Sequence, residues 1–478
     1  MKFKGTWFLA LLAVALGLYV YLIEIKKAAK DEEKKNAEEK ILDFDSSKVK
    51  SLNFKNSKGE FTVEKDGTDW KLVKPLTDKA DQSVINNILT ALGSEKFDEA
   101  IDAQTDADLK NFGLDNPVES LTITNQDGTI KKLSIGQDAA IPGKVYLQRG
   151  DEKKALYANS GIKIQLDKTI KDLRDKDVFR KNKDDITRFE LKVNSKDAHG
   201  QVALSKKDGK WFLDSKGEEA DGEVTETFLK TLTSLNATDF PSENASDKAE
   251  KKKYDLSAPE IEVTLYGKDN VILDHMMIGS KNDKNNVFVT VEGVPTIYQL
   301  FASSTESLLK KPEDFRNKKL PLEFKKEDVA DINIKTSASE AHLVKKASSW
   351  ELFLPDEAKV VSQIQVTNFL DRLSDLKVAD YVDKEKPVGL NPPLGHIVLK
   401  NSKDEVIFDF SWGDRAKVQR NDYAKSSKYK GLFTVDGSAI AGIPIQTLVE
   451  RKSTPVPTAA PSSAVASGTP SPQSTPTK

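Results

Sequence analysis

Residues 70–75 read WKLVKP, residues 211–215 read WFLDS and residues 350–355 read WELFLP. One short strand, opened by a large ring, thus recurs at a spacing of about 140 residues, and a fixed period is the signature of a repeated structural unit. Working outward from each tryptophan, the same signals follow in the same order. Upstream lies an apolar-x-x-apolar-x-apolar pattern: Val49, Leu52 and Phe54, then Ile186, Phe189 and Leu191, then Val329, Ile332 and Ile334. Its closing alternation predicts a half-buried strand. A single ring per copy is expected to anchor a core or a sheet face, not to serve as a binding platform.

Downstream of each tryptophan the period changes to that of a helix. Val84, Ile85, Ile88, Leu89 and Leu92 share one face, with Gly93 placed to terminate it. Val224, Phe228, Leu229, Leu232 and Leu235 do the same in the second copy, and Phe369, Leu370, Leu373 and Leu376 in the third. Such a stripe needs a partner surface, and the neighbouring sheet is the natural one. Proline turns come next: FGLDNP at 112–117, YDLSAP at 254–259 and VGLNPP at 388–393. Strands LTIT, IEVTLY and HIVLK follow, then strands ending near Ile135-Gly136, Ile278-Gly279 and Trp412-Gly413, then VYL, VFVTV and FTV. The first two copies close with DVFRKNK (177–183) and DFRNKKL (314–320), expected to be the joints between copies. The fold class is therefore α+β: three tandem repeats at 46–183, 184–320 and 321–452, each a mostly antiparallel sheet with one main packed helix and its own core.

The two ends differ from this body. Residues 5–23 read GTWFLALLAVALGLYVYLI, an uncharged run long enough for roughly 30 Å of hydrocarbon, with Trp7 at one end and Tyr19 and Tyr21 at the other. We read residues 1–25 as a single-pass transmembrane helix with a short cytoplasmic tip, because Lys2 and Lys4 are unopposed by acids. Lys26, Lys27 and Lys30 on the far side pull against that orientation. A cleaved signal peptide is the competing reading, but apolar sequence continues about eight residues past Ala15. Residues 26–45, rich in Ala, Glu and Lys, read as a helical or flexible stalk. Residues 453–478 are almost wholly Pro, Ser, Thr and Ala, a composition that cannot bury a core and predicts disorder.

Composition narrows the functions. Lys and Arg number 73 against 75 for Asp and Glu, so no basic field is available to hold nucleic acid. There is no cysteine, which removes disulfides, thiolate metal sites, cysteine nucleophiles and a lipoprotein anchor. The four histidines, His199, His275, His342 and His396, show no metal-ligand spacing. Gly136 and Gly143-Lys144 resemble a phosphate loop only faintly, since the gap is too long and Val145 stands where a hydroxyl is needed. Ser47/Lys50 and Ser427/Lys430 are Ser-x-x-Lys pairs expected by chance in so lysine-rich a chain. Asp283, Asn285 and Asn286 lack the rest of a calcium loop. No catalytic, metal or cofactor residues are assigned, the ligand-binding residues stay open, and no cofactor is expected. The copies show shared structural residues and no shared polar constellation.

Taken together, the N-terminal anchor, WxLxxP, the amphipathic helix, FGLDxP, DGTIKKLSIG, VYL and the closing DVFR resemble a bacterial family, domain of unknown function four-three-four-zero. The likeness is best over 46–180, weaker over 185–320 and weakest over 327–452. It implies kinship with auxiliary subunits of gliding-motility-type ABC transporters and no established catalytic residues. The resulting expectation is a non-enzymatic accessory or scaffold protein of the bacterial inner membrane. Its body would be periplasmic, the bilayer would hold residues 5–23, and a membrane protein such as an ABC permease would be its partner. A wall- or glycan-contacting spacer and an unrecognised hydrolase are the alternatives.

Overall fold

The computed structural model describes residues 4–25, 27, 38–103, 105–196, 198–337, 339–382, 389–415 and 420–452. The tail at 453–478 and most of the stalk at 26–45 lie outside the described residues. By compactness the chain divides into two units, Met1–Gln201 with Thr227–Leu309, and Val202–Glu226 with Lys310–Lys478.

The N-terminal apolar run forms helix α1 (Lys4–Tyr19), sixteen residues long, and continues as a six-residue π-helix, Val20–Ile25. The α-helical part spans about 24 Å, short of the roughly 30 Å of a bilayer core. Among the described residues no helix is long and apolar enough to cross a membrane. The expected nineteen-residue α-helical span is therefore replaced by a shorter α-helix with a wider turn after it. The stalk ends inside the fold: Ile41 and Leu42 are buried in the first core, and Ile41 N–H donates to the Glu95 carbonyl.

The first sheet has nine strands: β1 (Val49–Asn56), β2 (Gly59–Asp66), β3 (Asp69–Lys74), β4 (Asp78–Lys79), β5 (Phe97–Asp102), β6 (Glu119–Asn125), β7 (Ile130–Asp138), β8 (Lys144–Arg149) and β9 (Lys154–Asn159). Their order is β4-β3-β2-β1-β6-β7-β8-β9-β5, antiparallel throughout. Alternation sets the register. Leu52 faces Val63 on one side and Ile123 on the other, and Phe54 faces Phe61 and Leu121, so one pleat face is wholly apolar. Helix α2 (Gln82–Ser94) starts at Asp81, whose carboxylate accepts the Val84 N–H. It leads from edge strand β4 to edge strand β5 and buries Ile85, Ile88, Leu89 and Leu92 in the same core as Leu52 and Phe54. Gly93 does not end it. The chain leaves at Glu95 in an extended conformation, held there by Ile41, so tertiary pairing does the work expected of a left-handed glycine.

The pattern recurs. The first unit also holds β10 (Arg188–Asn194), β14 (Asp239–Ser242), β15 (Ile261–Tyr266), β16 (Ile272–Ile278), β17 (Asn286–Val291) and β18 (Ile297–Phe301), in the order β10-β15-β16-β17-β18-β14. The second unit holds β11 (His199–Lys207) from Val202 onward, paired antiparallel with β12 (Lys210–Leu213), and the pair of β12 with β13 (Glu218–Glu219). It also holds an eight-stranded sheet, among whose strands are β19 (Asp331–Thr336), β20 (Glu340–Lys346) and β21 (Ser349–Leu352). Among the described residues β22 (Lys359–Val361) stands apart from that sheet and pairs with the strand Val449–Arg451. Phe369, Leu370 and Leu373 of the helix Gln363–Ser374 share a core with Ile332, Ile334 and Trp350. All three repeated tryptophans are buried, as anchors should be.

The three proline turns share a backbone feature. Gly113, Asp255 and Gly389 have φ of 70°, 57° and 67°, the left-handed region. The first two follow short helices, Asp106–Asn111 and Lys248–Lys253, whose last turns they close. Gly136 and Gly279 pass so near these turns that a Cβ would meet the Phe112 and Asp255 carbonyl oxygens at 2.2 and 2.9 Å.

Candidate functional site

Two arginines, Arg174 and Arg316, are among the most deeply buried charged groups, and they occupy one equivalent position in the first two copies. Ala80 bridges Arg174 and Ala220 bridges Arg316. Asp81 N–H donates to the Leu173 carbonyl, and Asp221 N–H to that of Phe315. The joints therefore align DLRDK (172–176) with DFRNK (314–318), not DVFRKNK with DFRNKKL. Phe179-Arg180 resembles Phe315-Arg316 in sequence, but it is Leu173 that fills the place of Phe315.

Arg174 is 2% exposed. Its Nε donates to Asp78 Oδ2 at 2.8 Å, its Nη2 to Thr296 Oγ1 at 3.0 Å, and its Nη1 pairs with Glu243. Thr296 Oγ1 in turn donates to Glu243 at 2.8 Å. The guanidinium plane lies 4.0 Å from the centre of the Phe240 ring. Arg180 pairs with the other oxygen of Asp78 and donates to the Asp175 carbonyl at 3.0 Å. Burial alone would raise the Asp78 carboxyl, but Arg180 and then Arg174 override it and hold the group below its usual range. Tyr298, also beside Arg180, is pushed up by burial. Residues of β4 and of the segment after β9 are thus locked to β14 and the Thr296–Tyr298 stretch by one ionic network around the buried Arg174.

The second joint repeats the device. Arg316 is 4% exposed, donates to Glu218 at 3.0 Å and to Tyr429 Oη at 2.7 Å, and lies 3.4 Å from the Tyr381 ring centre. Asp78 and Glu218 are equivalent by position, as are Phe240 and Tyr381. In the third copy the equivalents are Lys359 and Val449: Val361 pairs with Val449, and Ser362 N–H donates to the Leu448 carbonyl. Acid and arginine are both absent from these positions of the third copy. A shared polar constellation therefore exists in two of the copies. The readable signal was the Arg two residues after Asp in D-L-R and D-F-R.

The other candidates fall as follows. His275 is held between Glu292 at 2.9 Å and Glu262 at 3.0 Å, beside an open cleft of about 430 Å³ that Lys251 and Met277 also line. His396 pairs with Asp409 at 2.9 Å. Counting from the proline turns, Glu262–His275 and His396–Asp409 are the same two sheet positions with acid and base exchanged, a cross-strand pair on the outer face. His342 pairs with Asp331 and stacks on Phe353, and His199 is exposed. Among the described residues no group of three or more His, Asp or Glu could hold a metal ion. Asp283, Asn285 and Asn286 form a tight turn in which Asn282 caps Lys284 and Asn286. Gly143 takes a left-handed turn in the β7–β8 connection, and Lys144 pairs with Asp98.

Two overlapping stretches of the chain, residues 70–259 and 211–393, match one family model, described as a domain of unknown function (DUF4340). No curated protein and no solved structure matches the chain. The matches begin on Trp70 and Trp211 and end on Pro259 and Pro393, each running from a tryptophan strand through a joint to the next proline turn. Residues 211–259 are matched twice, once as an end and once as a beginning, which is what tandem copies require.

Proposed function

The chain belongs to the DUF4340 family, in tandem copies, and on that footing we propose that it is a membrane-anchored extracytoplasmic scaffold acting through its surface and not by catalysis. The observation that carries the reading is the placement of the two buried arginines and of the charges that meet them. Arg174, Asp78, Glu243 and Arg180 in one joint, and Arg316 and Glu218 in the other, are consumed in fastening one copy to the next. Such chemistry sets a fixed spacing between copies, which is what a scaffold needs. The anchor part of the proposal rests on α1 and the π-helix after it. Trp7, Leu11, Val14, Leu18 and Tyr21 are all more than half exposed, so the helix is apolar all round and none of these five is covered by the described residues.

The partner is a membrane protein, and the family's kinship with auxiliary subunits of ABC transporters makes a permease the first candidate. The test is purification of the tagged full-length chain from native membranes in mild detergent. Recovery of an ABC permease at fixed stoichiometry, lost when residues 1–25 are exchanged for an unrelated anchor or when the repeats are deleted, is the expected result. Recovery of the chain with no stable membrane partner overturns the transporter reading. Recovery in the soluble fraction without detergent overturns the anchor.

A further inference from the structure

In the first two copies the strand that carries the tryptophan has a neighbour on its outer edge. Lys71 and Leu72 of β3 pair with Lys79 and Asp78 of β4, and Phe212 and Leu213 of β12 pair with Glu219 and Glu218 of β13. The Ala80 N–H then donates to the Trp70 carbonyl at 3.0 Å, and the Ala220 N–H to the Trp211 carbonyl at 2.8 Å. The third copy departs from this. Among the described residues β21 is an edge strand of its sheet, and β22, the equivalent of β4 and β13, pairs with the strand Val449–Arg451 instead. Between β21 and β22 lies a cleft of about 370 Å³. Trp350 and Leu352 line it from β21, Val360 and Val361 from β22, and Pro355 from the connecting loop. Lys452, the last of the described residues, lines it too. Gln363 bridges the two strands at one end, donating to the Trp350 carbonyl at 2.8 Å and to the Val361 carbonyl at 3.3 Å. Trp350 turns both its backbone groups towards Gln363, and strand geometry repeats every second residue, so Leu352 presents its N–H and C=O to the same side. The equivalent Leu72 faces Asp78 there, whereas Leu352 faces no strand among the described residues.

We propose that this slot receives residues 453–461 of the same chain, laid as a short extended segment on the outer edge of β21. Three observations select that occupant. The segment leaves the fold on the wall of the cleft, because Lys452 lines it and its N–H is fixed to the Ala358 carbonyl at 2.9 Å. No spacer is needed to reach the slot. Its sequence, STPVPTAAP, is suited to it. Proline fixes its own φ and confines the residue before it to extended backbone, so TPVP at 454–457 is biased towards the required shape and loses little entropy on docking. Pro455 and Pro457 alternate, so the missing N–H groups fall on one edge and Thr454, Val456 and Thr458 keep theirs for the other. The charges agree as well. Residues 453–461 carry none, and the rim is satisfied within itself, Lys346 pairing with Glu351 at 3.0 Å and Lys359 with Asp356 at 3.3 Å. Walls of Trp, Pro, Leu and Val suit a proline-bearing extended segment held by apolar contact and a few backbone hydrogen bonds. Docking covers a strand edge that would otherwise invite pairing with other chains.

The chain has no cysteine, so introduced pairs report cleanly. Full-length protein in mild detergent, kept dilute, would carry Val456→Cys with either Glu351→Cys, in the cleft, or Glu450→Cys, exposed and nearer along the chain. A segment merely tethered at Lys452 meets position 450 at least as readily as position 351. The expected result is the reverse, with the disulfide to position 351 closing at least about tenfold faster. Adding Val360→Asp, at an exposed position, should abolish that preference while leaving the thermal unfolding curve in place. Pro455→Gly with Pro457→Gly should lower the hydrogen-exchange protection of the Leu352 amide about tenfold. Equal or faster closure at position 450, or a preference untouched by Val360→Asp, overturns the proposal. Disulfides found only between chains overturn it in favour of segments exchanged between copies. If Val360→Asp shifts the unfolding curve, the Leu352 amide decides, and protection unchanged by the two glycines overturns the proposal.

Discussion

Arg174 stacks its guanidinium 4.0 Å from the ring centre of Phe240, and the same contact recurs between Arg316 and Tyr381 at 3.4 Å. Each arginine also meets a carboxylate from its own copy, Asp78 or Glu218. Removing Arg174 would leave Asp78 to Arg180 alone and Glu243, at the surface, without its partner. Arg174→Ala is therefore expected to destabilise the first unit by about 1.5–3 kcal/mol. Arg174→Lys should recover only part of this, because an ammonium cannot serve three acceptors and a ring face from one plane. Chemical unfolding followed by tryptophan fluorescence would measure both. A loss from Arg174→Ala below about 1 kcal/mol would mean the network is not what holds the joint.

The same network fixes a response to acid. The Asp78 carboxyl is held below its usual range when folded, so its contribution is complete above the unfolded value. It is lost as pH falls through the folded value, below about pH 4. Asp78→Asn is expected to lower stability at pH 7 and to flatten the loss between about pH 5 and 2. Parallel slopes for variant and wild type across that range would assign the acid sensitivity to other carboxylates.

How legible this was from the chain depends on where the information sits. Strands and main helices were readable because Leu52, Phe54, Ile85 and Leu89 obey one local period each, and the period is imposed by the core they share. The edge strands β5 and β14, next to the short helices that follow them, were not readable. Phe97–Asp102 has only one partly buried ring and an isoleucine, and its strand character comes from pairing with β9 across more than fifty residues. The joints were half readable. DLR and DFR lie in plain view, but what makes them a site is Phe240, Glu243 and Thr296, brought from another copy by folding.

Glu119 opens β6 at a position where the second copy has Ile261 and the third has Gly395. It is 8% exposed, and its Oε2 has no hydrogen-bond partner among the described residues. Burial first, and the nearby charge of Asp167 second, raise its pKa. A carboxyl raised in the folded state favours folding while protonated and loses that contribution as pH rises through the folded value. Glu119→Gln or Glu119→Ile is thus expected to stabilise the protein at pH 7 by about 1–2 kcal/mol and to leave it unchanged at pH 3. Melting curves at the two pH values decide the matter. Destabilisation at pH 7 would show that the ionised carboxylate has a function in the fold.

The last prediction comes from comparing copies at the start of the main helix. Gln82 accepts the Trp70 N–H at 2.7 Å and donates to the Trp70 carbonyl at 3.0 Å, clamping both backbone groups of the anchoring ring. Gln363 does the same to Trp350 at 2.8 and 2.8 Å. The second copy has Gly222 there, in open space and outside the left-handed region. Gly222 is the first residue of its helix, where the interior cost of glycine does not apply, but each hydrogen bond contributes on the order of 1 kcal/mol. Part of that is offset by fixing the glutamine side chain. Gly222→Gln should therefore stabilise by about 1 kcal/mol, while Gln82→Ala and Gln363→Ala each destabilise by about 1–2 kcal/mol. If Gly222→Gln is neutral while the two alanine variants lose stability, the second tryptophan strand already has its backbone satisfied. Its anchoring would then run through the indole, whose Nε1 donates to Glu226 at 2.9 Å.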